Sequence, residues 1–399
     1  MKSGEMVEGI SDSPNKFILA RQLRKEGGIP IFIKEAKNNF SFINFFSKIE
    51  NKFGSVKIYE KVVFAKNLSG MLQAGVSLSR SLIILEKQTK NNRLKNIINS
   101  LSKEIGRGKT LGDALANFPT IFSSLFVSMV RVGEESGSLS KTLTEISMHL
   151  KKSYELNKRI KGALVYPIII VIAMIIIGIT MFIYVVPTLA GTFLELGIEL
   201  PTSTQLIISI SNMMVNHTLI VLLCLFAIVV FIIFLFKNRL MQPYIDWIII
   251  HLPVIGTLSK ETNTARTART LSSLLSAGVD MSKSLMVTKD VLGNIYYKNI
   301  LNSAVKRVQK GIPLSVVFKD YPKLYPIMAS EMVEVGEETG NLAKMFLDIA
   351  DFYESEVDSK TKNLSTIIEP VLMIIIGAAV GFFAISMITP LYGLLGSIN

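Results

Sequence analysis

The chain has 399 residues, of which 49% are hydrophobic and 19% are charged, and its mean hydropathy is +0.44. This composition is too apolar for an ordinary soluble protein and too charged for a protein embedded entirely in lipid. The single cysteine, Cys224, excludes a disulfide framework. The formal net charge is +12, but aromatic residues are not interleaved among the basic ones as is typical of nucleic-acid-binding proteins. It therefore predicts membrane orientation and attraction to anionic lipids, with no nucleic acid as a partner.

Residues 1–55 differ from the rest of the chain. Residues 15–25 have the pattern of a short amphipathic helix, which the glycines and proline of 27–30 would end. Five phenylalanines then lie among lysines and asparagines: Phe40, Phe42, Phe45, Phe46 and Phe53. Two interpretations are open for this segment, an interfacial helix lying on the membrane and a helix packed on the domain that follows.

The rest of the chain contains an internal repeat. Residues 132–139, VGEESGSL, return as VGEETGNL at 335–342, an offset of 203 positions. Residues 68–82 return at 271–285 with the same offset. A fixed offset without gaps over more than a hundred residues predicts a tandem duplication.

Each copy begins with a polar helical domain, called a head here. The first head covers residues 56–162 and the second covers 237–366. Apolar residues recur every three to four positions, which predicts helices with one apolar face. The first head shows this at Leu94, Ile97, Ile98, Leu101 and Ile105. Gly75 and Gly278 fall where a helix would end, and such signals divide each head into about six helices.

Three apolar stretches are long enough to cross a membrane, which needs about 20 residues in a helix. They cover residues 163–188, 218–236 and 367–391. Residues 189–217 form the predicted outer hairpin. The predicted fold class is thus all-α, a polytopic membrane protein with two tandem cytoplasmic six-helix bundles and three transmembrane helices.

The distribution of basic residues predicts the orientation of these spans. No lysine or arginine lies between Gly162 and Phe236, and none follows Lys362. Because basic flanks stay in the cytoplasm, both heads are predicted to be cytoplasmic and the C-terminus to lie outside. The second span has no counterpart in the repeat, and its predicted role is to return the chain to the cytoplasm.

Paired glutamates are the strongest polar signal of the heads. Glu134 and Glu135 in the first head, and Glu337 and Glu338 in the second, fall at the end of a helix just before a glycine turn. Carboxylates at a helix C-terminus oppose the helix dipole, so another group must compensate them. The alternatives are the N-terminal N–H groups of the next helix, which would brace the hairpin, a lysine or arginine, and a docking partner or metal.

The residues flanking the two pairs differ between the heads. Arg131 precedes the first pair and is expected to balance it, whereas Glu334 stands at the equivalent position of the second pair. The second turn is therefore more acidic. It is the better candidate for an intermolecular contact with a cationic partner.

The spans carry candidate packing residues. Gly377 and Gly381 form a GxxxG pattern in the third span, which permits close helix approach either to the first span or to a second copy of the chain. The latter would make the protein a homo-oligomer. The repeat also places four residues where the first and third spans begin: Tyr166, Pro167, Glu369 and Pro370.

No set of residues indicates catalysis, a cofactor or a metal. The sequence GRGKT at 106–110 resembles the end of a phosphate-binding loop, but Lys103 stands where that motif requires its first glycine. His149, His217 and His251 have no metal-ligand spacing. The spans hold no ionisable residue near their centres, which disfavours the alternative function of a membrane transporter or channel component.

Several motifs together resemble the type II secretion system F protein family, which includes the platform proteins of type IV pilus assembly. They are the two acidic octets, the LQAGV and LSAGV motifs at 72–76 and 275–279, and RIKGALVYP at 159–167. ELGIELP at 195–201 also matches the family. The resemblance implies a non-enzymatic platform in the inner membrane of a bacterial cell. Its heads would meet a cytoplasmic hexameric assembly ATPase, and its spans would meet pilin or pseudopilin subunits, other inner-membrane machine components and membrane lipids.

Overall fold

The computed structural model describes residues 55–195, 200–238 and 240–397, and the two interpretations of the N-terminal segment lie outside these ranges. Within them the chain is all-α and has no strands. The helices are α1 Ile58–Gln73, α2 Leu78–Gln88, α3 Asn92–Gly106, α4 Leu111–Ala116, α5 Ser124–Glu135, α6 Leu139–Thr180, α7 Val186–Glu195, α8 Thr202–Asn216, α9 Thr218–Lys237, α10 Gln242–His251, α11 Ile255–Ser276, α12 Met281–Val291, α13 Ile295–Val308, α14 Leu314–Lys319, α15 Ile327–Glu338 and α16 Leu342–Ser397.

The two heads repeat each other helix for helix. The first head consists of α1 to α6 and the second of α11 to α16. Helices α2, α4 and α5 recur as α12, α14 and α15, with both ends displaced by 203 residues. The predicted fold class, with two tandem six-helix heads, is confirmed.

The helix boundaries follow the predicted turn residues. Gly75 and Gly278 have φ of 80° and 89°, a left-handed conformation that costs glycine little, and they end the first helix of each head. Ser77 and Asp280 lie at the N-cap positions of α2 and α12. The Asp280 carboxylate accepts the N–H of Lys283 at 2.9 Å, as an N-cap side chain does.

The core of the first head extends into the second. It is built mainly from one-sided apolar faces, and Leu68, Ile98 and Met129 are completely buried in it. Leu274, Val279 and Val287 of the second head belong to the same cluster. The first head therefore does not enclose its core alone, because α11 and α12 cover part of it.

An isolated first head should fold but be less stable than in the full chain. We expect residues 57–158 to be helical by circular dichroism and to melt at a lower temperature, because the three apolar side chains from the second head are missing. Thermal unfolding of the fragment and of the full chain in one detergent buffer checks this. A strand-rich or unfolded spectrum would contradict the expected fold.

Long helices connect the heads to the apolar stretches. Helix α6 runs from the first head through Pro167 to Thr180, and a π-helical turn at Met181–Val185 joins it to α7. Helix α16 runs from the second head through Pro370. Three helical segments are long and apolar enough to cross a membrane, Leu139–Glu195, Thr218–Phe236 and Leu342–Pro390. A proline is tolerated in such helices because neighbouring groups can satisfy the freed carbonyl.

Part of the predicted outer hairpin is a helix packed on two spans. The Ser211 hydroxyl of α8 donates a hydrogen bond to the carbonyl of Phe182, in the π-helical turn of the first span. The Thr204 hydroxyl donates to the carbonyl of Ser386 in α16. Val186, Phe193, Ile207 and Met387 form a small apolar core at this junction. Helix α8 thus ties the first span to the third.

Candidate functional site

The acidic turn of the first head connects two helices that are distant in sequence. The Glu134 carboxylate, in the last turn of α5, accepts the N–H groups of Leu111 at 2.5 Å and Gly112 at 2.7 Å. These residues begin α4, where N–H groups lack partners inside the helix and favour negative charge. A Cβ at position 112 would lie 2.5 Å from Cγ of Arg131, so glycine allows this close approach.

The second head repeats this arrangement at the same offset. The Glu337 carboxylate accepts the N–H groups of Leu314 at 2.6 Å and Ser315 at 3.1 Å, and also the Ser315 hydroxyl. Glu134 and Glu337 contact the short helix that precedes their own in the chain. The sequence predicted N–H groups of the next helix as the partners, and this is wrong. The fold instead brings the start of α4 or α14, the preceding helix, to the acidic turn.

The flanking charges are paired within each head. Arg131 donates to Asp113 at 3.0 Å, which corrects the expectation that it balances the glutamate pair beside it. Glu334 accepts from Lys319 at 2.6 Å. All four side chains are largely exposed. The second turn therefore already has a cation of its own chain, which weakens the sequence argument for a cationic partner at Glu334.

The two glutamates of each turn lie in different surroundings. Glu134 and Glu337 are partly buried by their hydrogen bonds, whereas Glu135 and Glu338 are exposed. Neither Glu135 nor Glu338 forms an ion pair within the described residues. The outer glutamates are thus the members of each pair that are available to another molecule.

The candidate residues of the spans are also accessible. Tyr166 is exposed at the start of the first span, and Glu369 is partly buried at the start of the third. Within the described chain, no side chain or neighbouring helix comes within 4 Å of a Cβ built on Gly377 or Gly381. These two glycines therefore do not pack against the first span.

A set of charged residues between the heads was missed by the sequence analysis. Arg269 of α11 is 8% exposed and donates to Glu354 at 2.8 Å and to Asp351. Lys152 of α6 lies 3.8 Å from Glu354, and Arg159 lies 3.0 Å from Asp358 of α16. In the last two pairs, the later residue of α6 contacts the later residue of α16. The two helices therefore run parallel as they approach the spans.

Helix α11 carries a signal that could have revealed this contact. Its segment 261–270, ETNTARTART, is almost entirely buried although it has no apolar stripe. The equivalent segment of α1 contains Val62, Phe64 and Ala65 on one buried face. A helix that is polar on all sides within a repeat of amphipathic helices needs polar partners when buried. The first head and the α16 helix supply them.

No cluster of metal ligands occurs in the part of the chain that the structure describes. Groups of three or more histidine, cysteine, aspartate or glutamate side chains that could hold a metal ion are absent there. Cys224 is free and exposed on α9.

Comparison with known proteins finds both copies of the repeat in one family. The family described as type II secretion system (T2SS), protein F, matches residues 64–187 and 267–390, two regions displaced by the same 203 residues. A type IV pilus assembly protein PilC from Thermus thermophilus is 33% identical over 398 residues, covering 100% of this chain and 97% of the relative.

Two further relatives are named after the two machines, one after type IV pilus assembly and one after type II secretion. A type IV pilus assembly protein PilC from Pseudomonas aeruginosa is 30% identical, covering 94% of this chain and 98% of its own. A type II secretion system protein F from Aeromonas hydrophila is 27% identical, covering 99% of this chain and 100% of its own. The chain belongs to the type II secretion system protein F family.

Proposed function

We propose that the protein is an inner-membrane platform of a type IV pilus assembly or type II secretion machine, which couples a cytoplasmic hexameric ATPase to the assembly of pilin-like subunits. One observation carries this proposal. In each repeat a single helix, α6 or α16, belongs to the head at one end and to a span at the other. Because such a helix has no loop to absorb movement, displacing a head displaces its span.

The surfaces suit the partners that this function requires. The exposed Glu135 and Glu338 are candidates for contact with the ATPase or another cytoplasmic component. The apolar faces of the spans are exposed, so pilin or pseudopilin helices, other inner-membrane components and lipids can contact them. A transporter or channel component is less well supported, because the spans lack the ionisable residues that mark a transport pathway. No cofactor or enzymatic activity belongs to the proposal.

Interrupting the continuous helix that joins a head to its span, called a stalk here, tests the coupling directly. We expect four glycines inserted after Gly162 to abolish fibre formation or secretion in the host cell, because head and span would then move independently. The same insertion after Leu200, between α7 and α8, should be better tolerated and serves as the control. Membrane insertion and copurification with the ATPase should survive in both variants. Normal assembly with the Gly162 insertion would refute the coupling function.

The proposed orientation places both heads in the cytoplasm and the C-terminus outside. We expect a periplasm-active reporter fused after Asn399 to be active, because basic residues flank the cytoplasmic ends of all three spans. The same reporter fused after Lys237 should be inactive, since this position follows the second span on the head side. Activity in the opposite pattern would overturn the orientation.

We further propose that copies of the chain associate through two unused faces. These are the faces of the two heads that correspond, at the offset of 203, to the faces in contact within one chain. In the contact between the heads, the first head contributes His149 of α6 and the second contributes Thr270 of α11, 3.4 Å apart. At the offset of 203, their counterparts are Phe352 in the second head and Asn67 in the first. Both counterparts are exposed.

Exposed apolar residues occur on both heads, one of them at an unused position itself. Phe352 is 44% exposed, and Met148 and Tyr59 on the first head are 47% and 58% exposed. Tyr59 is the counterpart of the buried Thr262. A second copy placing its Phe352 face on the first copy's Tyr59 face would bury all three. The stalks of every copy are parallel and lie in the same membrane. Each repetition of this contact therefore rotates the next copy of the chain about the membrane normal. It therefore favours a closed homo-oligomer over a filament.

Cysteine cross-linking tests this association. In a Cys224→Ser background, we coexpress a chain carrying Asn67→Cys with a chain carrying Phe352→Cys. Oxidation should give a disulfide-linked dimer of the two chains, because these positions reproduce the contact between the heads. A chain carrying the exposed Lys306→Cys in place of Phe352→Cys is the control and should not cross-link. Equal cross-linking in both mixtures, or none in either, would contradict the proposed contact.

A further inference from the structure

A polar cavity of about 240 Å³ lies between the two heads. Residues of α6 line one side, residues of α11 line the other, and Val291 of α12 and Glu354 of α16 complete the lining. The α6 and α11 residues include His149, Ser153, Asn157, Arg266, Arg269 and Thr270. A water molecule takes up about 30 Å³ in the liquid, so the cavity has room for a small ion together with water. It is distinct from the acidic turns and from the unused faces described above.

The two arginines of the cavity differ in how their charge is compensated. Arg269 is paired with Glu354 and Asp351. Arg266, one turn earlier on α11, donates to the Asn157 side-chain oxygen at 2.5 Å. Among the described residues no carboxylate forms an ion pair with Arg266. Burial lowers the pKa of the Arg266 guanidinium, because desolvation disfavours its charged form.

His149 supplies a second unpartnered polar group. Its side chain is 5% exposed, and its Nε2 lies 3.4 Å from the Thr270 hydroxyl. Burial, with a contribution from Arg269, lowers the pKa of His149 to about 4, so the ring is neutral near pH 7. If the Thr270 hydroxyl donates to Nε2, the Nδ1 atom carries the proton. This buried Nδ1 has no hydrogen-bond partner among the described residues.

We propose that this cavity binds the phosphate group of a small ligand. The Arg266 guanidinium would supply the charge, and the His149 Nδ1–H and the Ser153 hydroxyl would donate hydrogen bonds to the phosphate oxygens. The repeat shows that the site belongs to the contact between the heads alone. The counterparts of Arg266 and His149 are Val63 and Phe352. Because both heads contribute ligands, occupancy would stabilise their packing against each other.

Thermal unfolding of the full chain in detergent tests the site. We expect sodium phosphate, compared with sodium chloride at equal ionic strength and pH 7.5, to raise the melting temperature in a saturable way. Arg266→Gln should raise the half-saturating phosphate concentration at least tenfold, and His149→Phe should raise it by a smaller factor. Arg266→Lys keeps the charge and should retain part of the response. Arg307→Gln, which removes a partly exposed arginine paired with Asp320 outside the cavity, is the matched control and should respond like the wild type.

The same titration distinguishes the sources of the phosphate. Half-saturation by ADP or ATP well below that of inorganic phosphate would assign the site to a nucleotide, and equal values would assign it to the free ion. Either result supports the proposal when it is lost in Arg266→Gln. No saturable response of the wild-type chain to any of the three would mean that the cavity holds water only. An undiminished response in a folded Arg266→Gln variant would overturn the proposal equally.

Discussion

Replacing Arg269 with methionine should lower the free energy of unfolding by about 3 kcal/mol, near the lower end of the range for breaking a buried ion pair. Arg269 is 8% exposed, and its removal leaves the Glu354 carboxylate, whose side chain is 13% exposed, without its main partner. Lys152, 3.8 Å from that carboxylate, compensates only part of the loss. Chemical denaturation of the purified chain measures the change.

A double-mutant cycle identifies the cause. Arg269→Met combined with Glu354→Met should recover much of the stability, because no unpaired buried charge remains. Arg307→Met is the control, since its pair with Asp320 is much more exposed. It should cost between about 0 and 1 kcal/mol. If Arg269→Met costs no more than this control, the ion pairs of Arg269 with α16 do not stabilise the second head.

Replacing Glu134 with glutamine should destabilise the first head by about 1–3 kcal/mol, the usual cost of disrupting buried or charged hydrogen bonds. The carboxylate accepts two N–H groups with two oxygens. An amide of the same shape has one oxygen and would place an NH₂ group against one of the donors. Glu337→Gln should act similarly on the second head, although the Ser315 hydroxyl can reorient to the amide oxygen.

The outer glutamates provide matched controls. Glu135→Gln and Glu338→Gln change exposed side chains one position away, and each should alter stability by less than about 0.5 kcal/mol. If these two variants melt normally but prevent fibre assembly or secretion, the acidic turns are docking surfaces as well as braces. Thermal unfolding and an assembly assay on the same four variants separate the two roles. Equal stability of all four would contradict the brace.

The sequence alone was sufficient to predict elements that depend on local chemistry. The offset of 203, the one-sided apolar faces and the glycine turns predicted two six-helix heads, because helix periodicity and left-handed turns depend mainly on neighbouring residues. The three spans followed from their length and hydrophobicity, since a helix in lipid must satisfy its own backbone. The motifs that carried the family resemblance were also local.

The tertiary structure decided which groups meet, because those contacts join residues far apart in the chain. It alone showed that Glu134 caps the start of α4, since the position of that helix depends on how the whole head packs. The same reason applies to the polar helix α11. Its burial depends on α16 providing carboxylates for Arg269 and on α6 providing Asn157 for Arg266, and no local pattern specifies which surface those partners occupy.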